Sequence, residues 1–530
     1  MTLRATHRHP RAKDYRRAGG AWDVPTLDAL LSGLDPSVAG RPARVTLVDG
    51  EVRLTSTALD DLVARLAGGL RDAGVRRHHV VAWQLPNSYE AIVLYRACWR
   101  LGAIAAPLHH QAGSDDVAKL VARLDPKVVV SAAHLAAARH PGAVIVGGPT
   151  LPGRRGPDDD APPNVGNGSK GAGRTFAALL DATPEEPHGQ ARPTDIAVVL
   201  FTAGSSGQPK GVMHTHRTLA YKTWLMPGVH GLDPTDSVLM PAPLAHISGL
   251  LNGLLVPTVA GMKSVVMPRW NTELALDLIE RERITFMVGP PTFFIGLMDD
   301  PDFTTHRVRS LRLISTGGTG VNPAFVERAR HELGANVKRS YGSTEAPTVA
   351  TSGPDADIGQ SSFTDGRAIG DAELRLVDGE LQVRGPELFV GYLDESETEA
   401  AFERGGWFRT GDFATIDPEG WLTVTGRLND VIIRGGENIS VTRVEAVLED
   451  HPDVRQAAVV GEPDDRLGER ITAFVVVADG TTFDLAASRA WFAEQGMAKF
   501  MWPERIEAVA ELPKLESGKI DKPTLKTRLF

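Results

Sequence analysis

An apolar run, Ile196 to Phe201, empties directly into Thr202-Ala-Gly-Ser-Ser-Gly-Gln-Pro-Lys-Gly211. The run reads as a buried strand. Gly204 and Gly207 let the backbone after it turn tightly and come close to a ligand. Thr202, Ser205 and Ser206 add hydroxyl donors, exposed backbone N–H groups add more, and Lys210 adds a positive charge. Donors of this kind around one cation suit a polyphosphate. Pro209 precedes Lys210, and the Gly-Lys-Ser/Thr of a P-loop NTPase is absent.

A strand that ends on such a loop belongs in a layered α/β fold, and the flanking sequence agrees. Val80 to Leu85 reads as a buried strand, Ser88 to Arg100 as a helix and Ala103 to Pro107 as a strand. Asp116 to Leu124 follows as a helix and Lys127 to Ser131 as a strand. Alternation of this kind predicts largely parallel sheets with helices. Gly147 to Arg174 is crowded with Gly, Pro, Asp and Asn and reads as an exposed, mobile loop. The α/β rhythm returns with a helix over Leu274 to Glu282, strands at Thr285 to Val288 and Leu311 to Ser315, and a helix over Pro323 to Leu333. From Ala372 the texture becomes antiparallel: Glu373 to Val377, Glu380 to Val383 and Leu422 to Thr425, with Asp-Gly and Glu-Gly turns. A small α+β unit follows. Val444, Val447 and Leu448 form a helical apolar face; Gln456 to Val460 and Ile471 to Val477 are strands; Leu485 to Gln495 is a helix. The expected domains are 1–428, a large N-terminal α/β body with parallel-rich sheets and a distorted antiparallel region, and 429–530, a small mobile α+β domain.

Several classes are excluded. A formal charge of −9 over 530 residues is not that of a chain that coats nucleic acid. A single cysteine, Cys98, leaves no disulfide framework and no cysteine-based zinc site within one chain. The most apolar stretch, Leu250 to Met267, is broken by Asn252, Pro257 and Lys263, so no membrane span is expected. With no secretory pattern at the N-terminus, the expectation is a cytoplasmic protein. His214, His216 and His230 lack the spacing of metal ligands and read as structural.

The phosphate loop resembles that of the adenylate-forming superfamily, which holds acyl-CoA synthetases, peptide-synthetase adenylation domains and beetle luciferases. Six more segments resemble that superfamily's motifs in the same order: Pro243-Leu-Ala-His-Ile-Ser-Gly249, Ser315-Thr-Gly-Gly-Thr-Gly320, Tyr341-Gly-Ser-Thr-Glu345, Gly406-Trp-Phe-Arg-Thr-Gly-Asp412, Gly426-Arg-Leu-Asn-Asp430 and Leu512 to Ile520 with Ser517-Gly-Lys519. Trp83-Gln-Leu-Pro-Asn87 together with Ile433 to Ile439 is most similar to cyclohexanecarboxylate–CoA ligase and short- to medium-chain fatty-acyl-CoA ligases.

The resemblance implies a role for each position. Thr202, Ser205, Ser206, Gly207 and Lys210 would hold the β- and γ-phosphates of ATP, and Glu345 would hold Mg²⁺. Thr344 would meet the α-phosphate. Gly318, Thr319, Tyr341 and Gly342 would line the adenine, Asp412 would accept the ribose hydroxyls, and Arg427 would support ribose and phosphate. Lys519 would bridge the attacking carboxylate and the α-phosphate. His246, Ile247, Ser248, Thr316, Gly317 and Ala346 would line the acyl pocket, with His246 closing it. After rotation about Asn429, where the family usually has Asp or Lys, Arg434, Gly435, Gly436 and Glu437 would line a tunnel for the pantetheine thiol of CoA.

The implied activity is an ATP-dependent carboxylic acid–CoA ligase, with ATP and CoA as co-substrates. The pocket positions are mostly small or apolar and offer no acid to an amino group, so a hydrophobic carboxylate is expected: medium-chain, alicyclic or aryl. Three alternatives stay open: an enzyme that loads a carrier protein's phosphopantetheine, a P-loop ATPase, and a non-catalytic nucleotide-binding protein. A homodimer is also left open.

Overall fold

The computed structural model describes every residue except 1–2, 8, 33–43, 148–174, 188, 203–208, 319–320, 354–357, 428–430, 435–436, 465–466, 516–517 and 530. Nearly all of the run read as a mobile loop lies outside these described residues. The chain divides into two compact units. One comprises Met1–Val288, Ser343–Pro347 and Gly385–Gly406; the other comprises Gly289–Gly342, Thr348–Arg384 and Trp407–Phe530.

In the first unit a sheet runs in the order Val144–Val146, Val128–Ala132, Val80–Gln84, Ile104–Leu108, Ile196–Thr202, Lys210–Thr215. All its pairings are parallel except the last, which is an antiparallel hairpin. A second run of strands in this unit pairs Phe286 with Ser237–Met240, then Lys263–Val266, then Val45–Asp49, all parallel, and ends on the antiparallel Val52–Thr55.

Parallel strands buried on both faces should be apolar throughout, and Val80–Gln84 and Ile104–Leu108 are buried at every position. The helix Tyr89–Arg100 starts where Ser88 Oγ accepts from Ala91 N–H, and all twelve of its residues are buried. Its two arginines are neutralised: Arg96 by Asp60, and Arg100 by Asp28 and Asp60. From this helix Tyr95 meets Trp83 of the strand Val80–Gln84 edge-on at 4.7 Å, Tyr95 OH donates to Leu244 O at 2.7 Å, and Trp99 Nε1 donates to Ala197 O at 3.0 Å. That last bond ties the helix to the strand that feeds the phosphate loop.

In the second unit Leu313–Gly317 lies parallel to Asn336–Tyr341, followed by antiparallel Ala350–Thr351 and Arg367–Ala368. The helix Pro323–Leu333 starts on an Asn322 cap with proline in its first turn. It ends at Gly334, whose φ of 66° is the left-handed stop that glycine supplies. Glu373–Val377, Glu380–Arg384, Trp407–Ile416 and Leu422–Arg427 make the antiparallel region. The C-terminal sheet orders Glu437–Ser440, Val431–Arg434, Gly468–Val477 and Val454–Asp464, with Arg505–Ala508 parallel to Gly468–Val477. Its apolar face packs on the helices Val441–Glu449 and Leu485–Glu494 through Val444, Leu448 and Phe492.

The apolar stretch from Leu250 resolves into a π-helical turn, Leu250–Leu255, then the helix Val256–Ala260 and the strand Lys263–Val266. Among the described residues no helix is long and apolar enough to cross a membrane.

Trp99→Ala should cost about 3–5 kcal/mol of stability, because it empties a large buried volume and orphans the Ala197 carbonyl. Urea unfolding followed by circular dichroism measures the loss.

Candidate active site

The first unit builds a site around the hairpin. Its register sets Thr202 opposite Lys210, so the loop between them starts and ends at one place. Ser205, Ser206 and Gly207 lie outside the described residues. Lys210 Nζ stands 5.0 Å from the centre of the Tyr392 ring and 3.5 Å from Glu397 Oε1. Tyr392 OH donates to Glu345 Oε1 at 2.9 Å. The segment Ser343–Pro347 is closed on itself by Ser343 N–H to Ala346 O at 3.0 Å and Ala346 N–H to Ser343 Oγ at 3.1 Å. His214, on the returning hairpin strand, donates from Nε2 to Thr344 O at 2.7 Å. That bond joins the hairpin to the segment that bears Thr344 and Glu345.

A carbonyl can only accept, so the bond places a proton on His214 Nε2 and leaves Nδ1 to accept from Thr218 Oγ1 at 3.3 Å. Burial pushes the His214 pKa down to about 4, against a smaller opposing effect of the Thr344 carbonyl. His216 is lowered to about 4, again chiefly by burial. Both are buried, neutral groups at ordinary pH.

His246, Ile247 and Ser248 open a short helical turn and are half-buried, whereas Leu250 is fully buried. Gly249 is required because a Cβ there would lie 2.1 Å from Pro243 O. The loop before His246 is held by Asn87, whose Nδ2 donates to Ala242 O at 2.9 Å and Met267 O at 3.1 Å and whose Oδ1 accepts from Leu244 N–H at 2.7 Å. The His109 ring lies 5.2 Å from that of His246. Gln84, fully buried, fixes the His109 loop by donating to the carbonyls of His109, His110 and Ala112. Ala346 is buried.

The second unit brings together Gly318, Tyr341, Asp412, Arg427 and Lys519. Asp412 is buried; Tyr341 OH donates to its Oδ2 at 2.6 Å and Arg427 Nε to its Oδ1 at 2.8 Å. Burial, with the Asp412 charge second, raises the Tyr341 pKa well above its ordinary value, so the phenol keeps its proton and donates. Gly518, at φ 80°, accepts from Thr292 Oγ1 at 2.7 Å and carries the half-buried Lys519. A Cβ at Gly518 would lie 2.6 Å from Pro290, so only glycine fits this turn. A methyl group at Gly318 would sit 3.4 Å from Lys519 Cε. Burial lowers the Lys519 pKa, Arg427 lowers it further and Asp412 opposes both. Thr316 is fully buried, and a Cβ at Gly317 would lie 2.1 Å from Ser340 O on the neighbouring strand. Gly342, which follows Tyr341, is half-buried.

In the C-terminal sheet Arg434 Nε is paired with Glu504 Oε1 at 2.5 Å. Thr319, Asn429, Gly435, Gly436 and the side chain of Glu437 lie outside the described residues. Sequence reasoning missed Gln84 and Asn87 as loop anchors and Tyr392 and Glu397 as neighbours of Lys210.

Comparison with known proteins decides the family. The AMP-binding enzyme family matches residues 34–393, and the AMP-binding enzyme C-terminal domain matches 443–519. The chain belongs to the AMP-binding enzyme family. It is 32% identical to the medium-chain fatty-acid–CoA ligase of Escherichia coli K12, over 98% of this chain and 93% of that protein. It is 35% identical to the 3-[(3aS,4S,7aS)-7a-methyl-1,5-dioxo-octahydro-1H-inden-4-yl]propanoyl:CoA ligase of Mycobacterium tuberculosis, over 94% and 99%. Among solved structures, ATP-bound MatB from Rhodopseudomonas palustris superposes with a TM-score of 0.82 at 26% identity, covering 94% of this chain and 98% of that one. This member of the family is an acid–thiol ligase of the AMP-forming kind.

His214 and His216 titrate near 6.5 in the unfolded chain and near 4 in the folded one. Between those values the unfolded state binds more protons, so stability falls as pH drops from 6.5 towards 4. His214→Gln should flatten that slope, as read by thermal unfolding midpoints across the range.

Proposed function

We propose that this ligase activates a hydrophobic monocarboxylate and transfers it to CoA. One carboxylate oxygen attacks the α-phosphorus of ATP and pyrophosphate leaves. The thiol of CoA then attacks the acyl carbon, and AMP leaves with the oxygen that joined it to the acid. Such phosphorus chemistry is carried by positioning and charge neutralisation.

The observation that carries this reading is the setting of Lys519. Its glycine turn is pinned by Thr292, and its ammonium lies among Gly318, Arg427 and Asp412. A cation there neutralises charge as the carboxylate meets the α-phosphate, while Arg427 and the Tyr341–Asp412 pair hold ribose and adenine. Each Asp412 oxygen has a second lone pair for a ribose hydroxyl. Lys210 and Thr202 meet the terminal phosphates, together with Ser205, Ser206 and Gly207, and Thr344 meets the α-phosphate. Glu345 is fitted to hold Mg²⁺: it is a half-buried carboxylate steadied by the Tyr392 hydroxyl, and Mg²⁺ takes most of its oxygens from phosphate and water. The ion supplies charge neutralisation on the departing pyrophosphate.

His246, Ile247, Ser248, Thr316, Gly317 and Ala346 are assigned to the acyl group. The substrate class is supported by the mostly small or apolar side chains of this set, which include no acid, and by the names of the relatives, which act on medium-chain and alicyclic acids. The thiol half-reaction is assigned to the domain 429–530, turning at Asn429 and offering Arg434, Gly435, Gly436 and Glu437 to pantetheine.

Lys519→Ala should lower acid-dependent AMP formation by about 100-fold or more while leaving thioester formation from supplied acyl-AMP intact. A panel of acids assayed for AMP and acyl-CoA tests it. AMP without acyl-CoA would move the acceptor to a carrier protein, and loss of both half-reactions would remove Lys519 from its assigned step. Because the Lys519 pKa is lowered, adenylation should decline on the alkaline side before an ordinary lysine would titrate. Lys519→Arg should abolish that decline.

A further inference from the structure

The segment Gly385–Gly406 touches both charged groups assigned to the phosphates, and the fold fixes it from several sides. At its start the buried Glu387 pairs with the buried Lys222 at 3.1 Å. Phe389 N–H donates to Glu345 O at 2.9 Å. Val390 N–H donates to Met213 O, Met213 N–H to Gly391 O and Leu393 N–H to Gly211 O, each within 3.0 Å, so the segment lies along the returning hairpin strand. Thr6 and His7 each donate a backbone N–H to Val390 O at 3.0 Å, and the His7 ring stacks on Phe402 at 3.7 Å. Trp22 Nε1 donates to Pro386 O at 2.9 Å. A backbone held this firmly presents its side chains at set positions.

Two of those side chains reach Lys210: Glu397, and Tyr392, which is buried edge-on against Phe389 at 4.7 Å. Tyr392 reaches Glu345 with its hydroxyl and Lys210 with its ring face, where a cation is attracted to the π-electrons. Glu397 lies 3.5 Å from Lys210 through Oε1, while its Oε2 is buried with no hydrogen-bond partner among the described residues. A buried acceptor left unpaired is costly, and a carboxylate beside the phosphate lysine opposes an incoming polyphosphate.

We propose that Tyr392 is a positioning residue that sets the separation of Glu345 and Lys210, and that Glu397 is the counter-ion Lys210 keeps until the phosphates of ATP replace it. The inference rests on the assignment of Lys210 and Glu345 to the phosphates and their ion. Tyr392 holds the carboxylate and the ammonium apart although they carry opposite charge, which keeps both open to the nucleotide. Glu397 satisfies the lysine in the empty enzyme and lowers the gain from the first ATP contact.

The test is calorimetric titration of the full chain with ATP, once in EDTA and once with Mg²⁺, for wild type, Glu397→Gln, Tyr392→Phe and Lys210→Ala. Thermal midpoints confirm that each variant folds. Glu397→Gln should tighten ATP in EDTA by about threefold to tenfold, because no counter-charge has to be displaced. Tyr392→Phe keeps the ring under Lys210 and loses only the hydroxyl, so it should change binding in EDTA little and shrink the gain that Mg²⁺ brings by about fivefold. In turnover it should raise the KM for Mg-ATP and leave the KM for the acid unchanged. Unchanged or weaker ATP binding in Glu397→Gln overturns the counter-ion, and an undiminished Mg²⁺ gain in Tyr392→Phe overturns the positioning role. Should wild type bind ATP and Lys210→Ala lose it while neither other variant responds, this inference fails and the ligase reading stands. A wild type that binds no ATP overturns both.

Discussion

The antiparallel pairing of Ile196–Thr202 with Lys210–Thr215 is the constraint on which the first unit depends. It returns the chain after the phosphate loop to the point where it left, so that a hydroxyl and an ammonium face each other across the strand ends. The segments that bear Glu345 and Tyr392 are attached to the returning strand. Its His214 holds the Thr344 carbonyl, and its outer edge receives Gly391 and Leu393. The parallel strands beneath are buried and largely apolar, which makes the hairpin's base stiff; Trp99 adds a hydrogen bond to it.

The second unit solves a different problem, that of gathering two cations about one buried anion. Asp412 has one oxygen on Tyr341 and the other on Arg427. Lys519 approaches the same charge, and burial together with the Arg427 charge lowers its pKa against the pull of Asp412. A lysine in that balance is only partly compensated by the protein, which agrees with its proposed role towards the nucleotide. Glycine at 318 and 518 makes the approach sterically feasible, one by lacking a side chain in the lysine's path and the other by adopting a left-handed turn against Pro290.

Much of this was legible in the sequence because the signals are local. Apolar runs such as Val80–Gln84, the Asn322–Pro323 start and Gly334 stop of one helix, and the Asp-Gly turn between Glu373–Val377 and Glu380–Arg384 state their structure within a few residues. The reading placed the phosphate loop after its strand but gave no strand to Lys210–Thr215, whose Lys, Gly and His obscure the alternation; those residues are accommodated because Val212 and Met213 are buried on the strand's two faces and His214 has Thr344 and Thr218 as partners. Gln84, Asn87, Tyr392 and Glu397 were not legible as site residues. Each acts through contacts far along the chain, between Asn87 and Ala242 or Tyr392 and Glu345 for example, and no local pattern encodes such pairs. The stretch from Leu250 was hard for another reason: a π-helical turn, a short helix and a strand follow one another within eighteen residues, so no single period is sustained.

The central claim is that the acid is activated by attack of its own oxygen on the α-phosphorus of ATP. Turnover with an ¹⁸O-labelled carboxylate, ATP, Mg²⁺ and CoA, followed by mass spectrometry of the nucleotide and phosphate products, tests it most directly. The account predicts one ¹⁸O atom in each AMP formed and none in pyrophosphate. Label in inorganic phosphate with ADP as the nucleotide product, or AMP without label, would contradict it.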